Sequence, residues 1–243
     1  MKLSRRHLLL GAGATALAQA LPIFRRPVLA QAHGAHPPQG IPATAAPLSS
    51  GTVQPPAPAV PRDPRYTPVR TLNGWTLPWR MNNGVKEFHL VAEEVVHEFA
   101  PGSRATCWGY NGSTPGPTIE AVEGDRVRIF VTNRLKEPTT IHWHGLILPN
   151  GMDGVGGLNQ PHIQPGETFA YEFTLVQHGS HMYHPHADEM VQLAFGMMGL
   201  FIIHPRDRAE VPVDRDYAFL LHNWALHPGT WRPDPSIMQE FDL

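Results

Sequence analysis

The chain has 243 residues, long enough for one sizeable core or two small domains. With 26 prolines and 22 glycines it favours short strands and turns over long helices. The formal charge of −2, which falls to −7 once the basic N-terminus is removed, excludes the basic footprint of a nucleic-acid or anionic-membrane binder, and the single cysteine, Cys107, excludes an intramolecular disulfide.

Ser4-Arg5-Arg6-His7-Leu8-Leu9 opens the chain and an apolar run follows over residues 8–20. This looks like a twin-arginine export signal, with Ala30-Gln31-Ala32 the preferred cleavage site and Ala18-Gln19-Ala20 the second. Residues 1–32 therefore read as a signal peptide, and the mature protein as exported, periplasmic or extracellular. The apolar run is too short for a membrane span, and no later stretch reaches span length. Removing 1–32 takes away Lys2, Arg5, Arg6, Arg25 and Arg26 and no acid, moving the formal charge from −2 to −7. Residues 33–70 are Pro-rich and read as a disordered or polyproline-like leader and linker, with His33 and His36 solvated in it.

From residue 71 the composition is globular. Residues 86–99 read as a long broken strand and 105–110 as a second. The turn cluster Asn111-Gly112-Ser113-Thr114-Pro115-Gly116-Pro117 follows, then a short extended piece at 118–121. Residues 126–131 alternate, placing Val127, Ile129 and Val131 on one buried face. A Gly-rich loop spans 149–166. Residues 168–175 alternate again, with Phe169, Tyr171, Phe173 and Leu175 together. Residues 189–198 predict one or two helical turns, and 199–204 a last strand. This spacing predicts a β-sandwich or barrel. Residues 206–216 form a charged connector, and 216–224 read as a strand of an incomplete second domain.

Two histidine pairs organise the chain. Thr140-Ile141-His142-Trp143-His144-Gly145-Leu146 carries one, and Tyr183-His184-Pro185-His186-Ala187-Asp188 the other. In a strand, His142 and His144 share a face while Trp143 takes the opposite one, toward the core. Same-face neighbours lie about 6.5–7 Å apart. Two ligands on one metal, each about 2 Å from it, must come closer than that. Parallel i, i+2 imidazoles therefore serve two adjacent metals most easily, and two facing pairs make half the cage of a metal cluster. Imidazole suits copper, zinc, iron and nickel. His162, His178, His181 and His204 read as loop or surface residues, and Met190, Met197 and Met198 as core packing.

Asn111-Gly112, Pro115-Gly116-Pro117, Gly124-Asp125-x-Val127, His142-Trp143-His144-Gly145, Asp153-Gly154, Gln160, Pro165-Gly166, Tyr183-His184-x-His186 and Gly199-Leu200 occur in a fixed order. Together they resemble the first cupredoxin domain of multicopper oxidases, the family of laccases, ascorbate oxidase and bacterial copper-resistance oxidases. The resemblance implies an all-β, cupredoxin-like Greek-key β-sandwich over 71–205, with 206–243 the connector and start of a second, incomplete cupredoxin-like domain. It implies a copper-dependent oxidoreductase that couples one-electron oxidation of a reducing substrate to reduction of O2 to water. By the same analogy, His142 resembles the type-2 copper ligand, and His144, His184 and His186 resemble type-3 ligands. Asp153 resembles the acid that supports proton delivery beside the cluster, with a turn aspartate before Gly154 as the alternative. Two-domain relatives extend the analogy to a homotrimer with clusters between subunits.

The family's other ligands come from two later motifs, HxxHxH and HCHxxxH, and both are expected to be absent from these 243 residues. A type-1 copper needs a Cys thiolate beside histidines. Cys107, between Thr106 and Trp108, reads instead as a small buried residue, so type-1 copper is not encoded here. The chain thus resembles the front part of a longer oxidase, without a complete catalytic cycle of its own. A non-catalytic exported copper-binding or copper-tolerance protein would use the same four histidines. His184-Pro185-His186-Ala187-Asp188 also approaches the HxHxD start of a zinc metallo-hydrolase, and the region approaches a cupin motif; neither explains His142 and His144.

Overall fold

The structure is a computed structural model that describes residues 59, 61–72, 74–207, 213–227, 230 and 232–236. The described residues all belong to one unit, within residues 53–243. The predicted signal peptide at 1–32 and most of the predicted leader lie outside them.

The fold is two sheets over a shared core. β1 (Trp79–Asn82), β2 (Val85–Ala100), β5 (Arg126–Asn133) and β7 (Thr168–Thr174) form one sheet in the order β1-β2-β5-β7, with β3 (Ser103–Tyr110) also paired to β2. β4 (Ile119–Val122), β9 (Gly199–His204), β8 (Gly179–His184) and β6 (His142–His144) form the other, in the order β4-β9-β8-β6. The single α-helix among the described residues, α1 (Glu189–Ala194), falls where one or two helical turns are expected.

Strand alternation does the building. In β5, Val127, Ile129 and Val131 are buried on one face, as predicted, and Tyr171 and Phe173 of β7 meet them across the ladder. β1, which the pattern reading missed, is joined to β2 by Asn83-Gly84, both at positive φ (50° and 78°). That dipeptide is the strongest short-range hairpin signal a sequence offers.

β2 does two jobs along its 16 residues. Its first half runs parallel to β5 in the sandwich, and its second half leaves with β3 as an antiparallel ribbon. Val95, Ala105 and Cys107 on that ribbon pack with Phe99, Trp224 and Leu226. Residues 216–224, expected as a strand, form none; Tyr217 makes one isolated bridge to Arg70, and Trp224 packs between His97 and His222. Trp224 finds apolar surface on the ribbon, and that contact outweighs its strand propensity.

The predicted leader also ends earlier than residue 70. Asp63, Tyr66 and Val69 are buried, and residues 61–70 strap across the sandwich. The anchor is Lys86, whose side chain is fully buried, 2.8 Å from Asp63 Oδ2 and 3.3 Å from Asp125 Oδ2. Arg65 bridges the same two carboxylates. Burial works to raise the Asp63 pKa, but hydrogen bonds from Arg65 and Lys86 win and hold it well below the usual carboxylate range. Beside this network, fully buried Glu120 accepts from Val69 N, Thr76 Oγ1 and His204 Nε2, and Tyr66 stacks on His204 at 4.1 Å. His204, expected at the surface, is buried because that carboxylate partners it.

Candidate metal centre

Trp143 orients the first pair. Its side chain is fully buried against Tyr171, Phe173, Tyr183 and Phe201, with ring centroids 5.2–6.2 Å away. Alternation then forces His142 and His144 out of the opposite face. The register of β6 with β8 brings in the second pair: His142 lies opposite His184, Trp143 opposite Tyr183, and His144 opposite Met182. Tyr183 is buried and donates to the carbonyl of Pro117 at 2.7 Å, so the β8 partner is pinned as firmly as Trp143.

All four histidines converge. Ring centroids of His142 lie 5.7 Å from His144, 5.3 Å from His184 and 5.5 Å from His186. Nδ1 of His144 is 3.1 Å from Nε2 of His184. One ligand nitrogen from each of His142, His144 and His184 falls within 4.8 Å of the others, whereas His186 stands outside this trio. Burial grades across the group: His184 is buried, His142 and His186 are half-buried, and His144 is exposed.

Local hydrogen bonds select the ring nitrogens. His142 Nδ1 faces the main-chain carbonyl of Asp153 at 2.7 Å, with the Asp153 carboxylate 3.3 Å away. His184 Nδ1 faces the carbonyl of Pro185 at 2.9 Å. Each Nδ1 therefore carries the proton, leaving Nε2 as a lone pair. Burial pushes the His184 pKa down, aided by His142 and His144 and opposed by the Pro185 carbonyl and Glu189, which keeps the ring neutral and able to ligate.

Gly154 makes the contact to Asp153 feasible. It sits at φ +85°, and a Cβ there would lie 1.7 Å from the carbonyl oxygen of Ile141. Only glycine lets this loop lie on the entry to β6. His186 is fixed through its main chain: its N–H donates to Thr140 Oγ1 at 3.1 Å, and its carbonyl accepts from Gly156 at 3.1 Å.

Sequence reasoning missed Glu189. One carboxylate oxygen is 3.5 Å from His184 Nδ1 and the other 3.5 Å from His186 Nε2. The available signal was its i, i+3 spacing from His186 at the start of the predicted helix. The expectation that HxxHxH is absent needs correcting: by letters alone, residues 181–186 spell it. Yet His181 does not join the trio; its ring lies against Gly145 and Gly179. His162 comes close to Gly156, away from the cluster's donor atoms. Met197 and Met198 are core residues as expected, while Met190 is exposed on α1.

The donor set fits a transition metal. Two imidazole nitrogens 3.1 Å apart match two ligands on one ion at about 2.0 Å each. An all-imidazole set suits copper, zinc, iron and nickel. Cys107 offers nothing here: it is fully buried in the β2–β3 ribbon, and burial pushes its thiol up to about 12. A cleft of about 490 Å³ by Trp108, Val191 and Phe195 is lined by none of the four histidines.

Residues 92–208 match the multicopper oxidase family model, so this span is similar to that family. Copper resistance protein A of Escherichia coli is 41% identical over 138 residues, covering 57% of this chain and 22% of that protein. L-ascorbate oxidase of Nicotiana tabacum is 36% identical over 155 residues, covering 62% and 25%. The crystal structure of the multicopper oxidase from Pseudomonas thermotolerans is 41% identical with a TM-score of 0.50, covering 51% of this chain and 30% of that one. The all-β, cupredoxin-like expectation holds. The chain spans only 22–25% of these curated relatives.

Proposed function

We propose that this chain supplies half of a trinuclear copper site in an exported multicopper oxidase, the remaining ligands coming from outside the described residues. The observation that carries this reading is the convergence of both i, i+2 histidine pairs on one open edge of the sandwich. In this reading His142 holds the type-2 copper, and His144, His184 and His186 hold the type-3 pair. Copper bound there would supply one-electron redox chemistry, of the kind that reduction of O2 to two waters by four electrons and four protons requires.

The chain's own residues prepare the ligands. The Asp153 carbonyl holds the Nδ1 proton of His142, and the Pro185 carbonyl holds that of His184, so each offers Nε2. The Asp153 carboxylate, about a third exposed and 3.3 Å from the His142 ring, can pass protons between solvent and the site. Its alternative role is to terminate the short 3-10 turn at Asn150–Met152. The reducing substrate would deliver electrons through a type-1 site elsewhere, because Cys107 is sealed in apolar surroundings. Export by the twin-arginine route, and a homotrimer completing the cluster between subunits, belong to this same reading.

A second reading is a copper-binding or copper-tolerance protein without turnover. It is favoured by the trio of His142, His144 and His184, whose ligand nitrogens lie within 4.8 Å of one another, and by the copper resistance proteins among the relatives.

Replacing His142 and His184 together by alanine tests the site. Copper retention after dialysis should disappear while the β-rich circular dichroism persists; unchanged copper content would sink the assignment. Oxygen uptake with an added reductant separates the two readings. The oxidase reading requires uptake once the partner ligands are supplied, and the storage reading requires none.

A further inference from the structure

On the reading that the four histidines hold copper, we propose that Gln192 is a positioning residue that sets the place of His186. His186 needs such a device. The β6–β8 ladder pairs His142 with His184, and β8 ends there, so His186 lies beyond the last ladder contact in chain that belongs to no strand. Its ring centroid is nevertheless 5.5 Å from that of His142 and 6.3 Å from that of His184.

Gln192 closes the gap from the far side. It sits on α1 and is only 1% exposed. Both halves of its amide reach the entry to β6: Oε1 accepts from Thr139 Oγ1 at 2.7 Å, and Nε2 donates to the Pro138 carbonyl at 2.8 Å. Thr139 is itself fixed, with its N–H and its carbonyl both bonded to Ile163. One residue on, Thr140 Oγ1 accepts the His186 N–H at 3.1 Å. Side-chain hydrogen bonds thus join residues 138–140 to residues 186–192 where the ladder has stopped. A six-residue helix is too short to hold itself, so its contacts place it. Leu193 and Phe195 anchor it by apolar packing, which is non-directional, whereas the bonds of Gln192 have a direction. A leucine would fill the same space without the cost of burying an amide, so the buried glutamine points to placement and not to bulk.

The test uses the full chain. Gln192→Met keeps length and bulk and removes both hydrogen bonds. Thr139→Val removes one of them, and Thr139→Ser keeps it. His186→Ala is the reference for a lost ligand, and Val127→Ala, a fully buried change in the other sheet, the reference for general destabilisation. Circular dichroism checks that each variant folds. Cu(II) electron paramagnetic resonance should give one spectrum for the wild type, Thr139→Ser and Val127→Ala, and should move Gln192→Met and Thr139→Val toward the spectrum of His186→Ala. Competition with a chelator should show copper held about 10-fold more weakly in Gln192→Met, the low end for groups that orient a ligand. In the metal-free chain the His186 N–H should exchange with solvent faster, relative to the amides of β8, in Gln192→Met. The proposal is overturned if Gln192→Met keeps the wild-type spectrum and affinity, if Val127→Ala shifts them equally, or if His186→Ala leaves the spectrum unchanged. If Gln192→Met does not fold, Thr139→Val against Thr139→Ser decides between the same outcomes. Should the double His142→Ala, His184→Ala variant retain copper, the copper reading itself fails, while exchange of the His186 N–H in the metal-free chain still decides whether Gln192 holds it in place.

Discussion

Two polar assemblies sit at opposite ends of the same strands. The register pairs Tyr183 with Gly199 and Gly179 with Ile203, so the histidine cluster lies at one end of β8 and β9, and the Glu120–His204 and Lys86–Asp63–Asp125 assembly at the other. The second assembly is closed. Its cation lies between two carboxylates, and Glu120 has three donors. The first is open: four imidazole rings converge, His144 is exposed, and two ring nitrogens face each other at 3.1 Å, a gap that calls for a proton or a cation. A satisfied network holds a fold together, whereas a converging and unsatisfied donor set is a binding site.

Substitutions can break that contrast. Lys86→Ala leaves buried Asp63 and half-buried Asp125 with only Arg65 as counter-charge, and should cost about 3 kcal/mol in chemical denaturation without altering copper binding. Trp143→Ala should cost about 3–5 kcal/mol as well, but it also removes the wedge between His142 and His144, so copper affinity should fall with stability. If Trp143→Ala kept full affinity, the orientation of the pair would have another cause. Gly154→Ala should cost more than about 1 kcal/mol and loosen the His142 contact, which a lowered copper affinity would register.

The pH response should mark the closed end through Asp63. Because the folded-state pKa of Asp63 is depressed, its contribution is present above the ordinary carboxylate pKa of about 4 and is lost as pH falls below it. The difference in melting temperature between wild type and Asp63→Asn should therefore be constant near neutrality and shrink below about pH 4. A gap that persisted unchanged at pH 3 would mean the strap is held by packing alone. The smallest effect concerns Cys107. With its thiol pushed up to about 12 and fully buried, it should resist alkylation until the chain unfolds, and the copper-loaded chain should show no intense blue thiolate absorption.

Much of the site was legible before the structure. A period of two placed His142 and His144 on one face with Trp143 inward, and the two pairs named the four histidines that converge. Glu189 was not legible as a partner, because its role depends on the angle at which α1 leaves the second pair. Nor was the strap, since ten prolines over residues 33–68 describe a leader well enough; only the buried Lys86 reveals that residues 61–70 supply its counter-charge.

The amino-acid order by itself determined the all-β class, the faces of the alternating strands and the identity of the donor side chains, because each follows from neighbours a few residues apart. Tertiary structure alone decided that His142 stands opposite His184 across forty residues of chain, that a carbonyl of Asp153 orients one ring and a Glu189 carboxylate borders another, and that residues 216–224 pack as irregular chain on a ribbon instead of forming a strand. Those outcomes depend on the register set by buried Trp143 and Tyr183 and on the close approach allowed at Gly154, contacts that exist only once the sheets have closed.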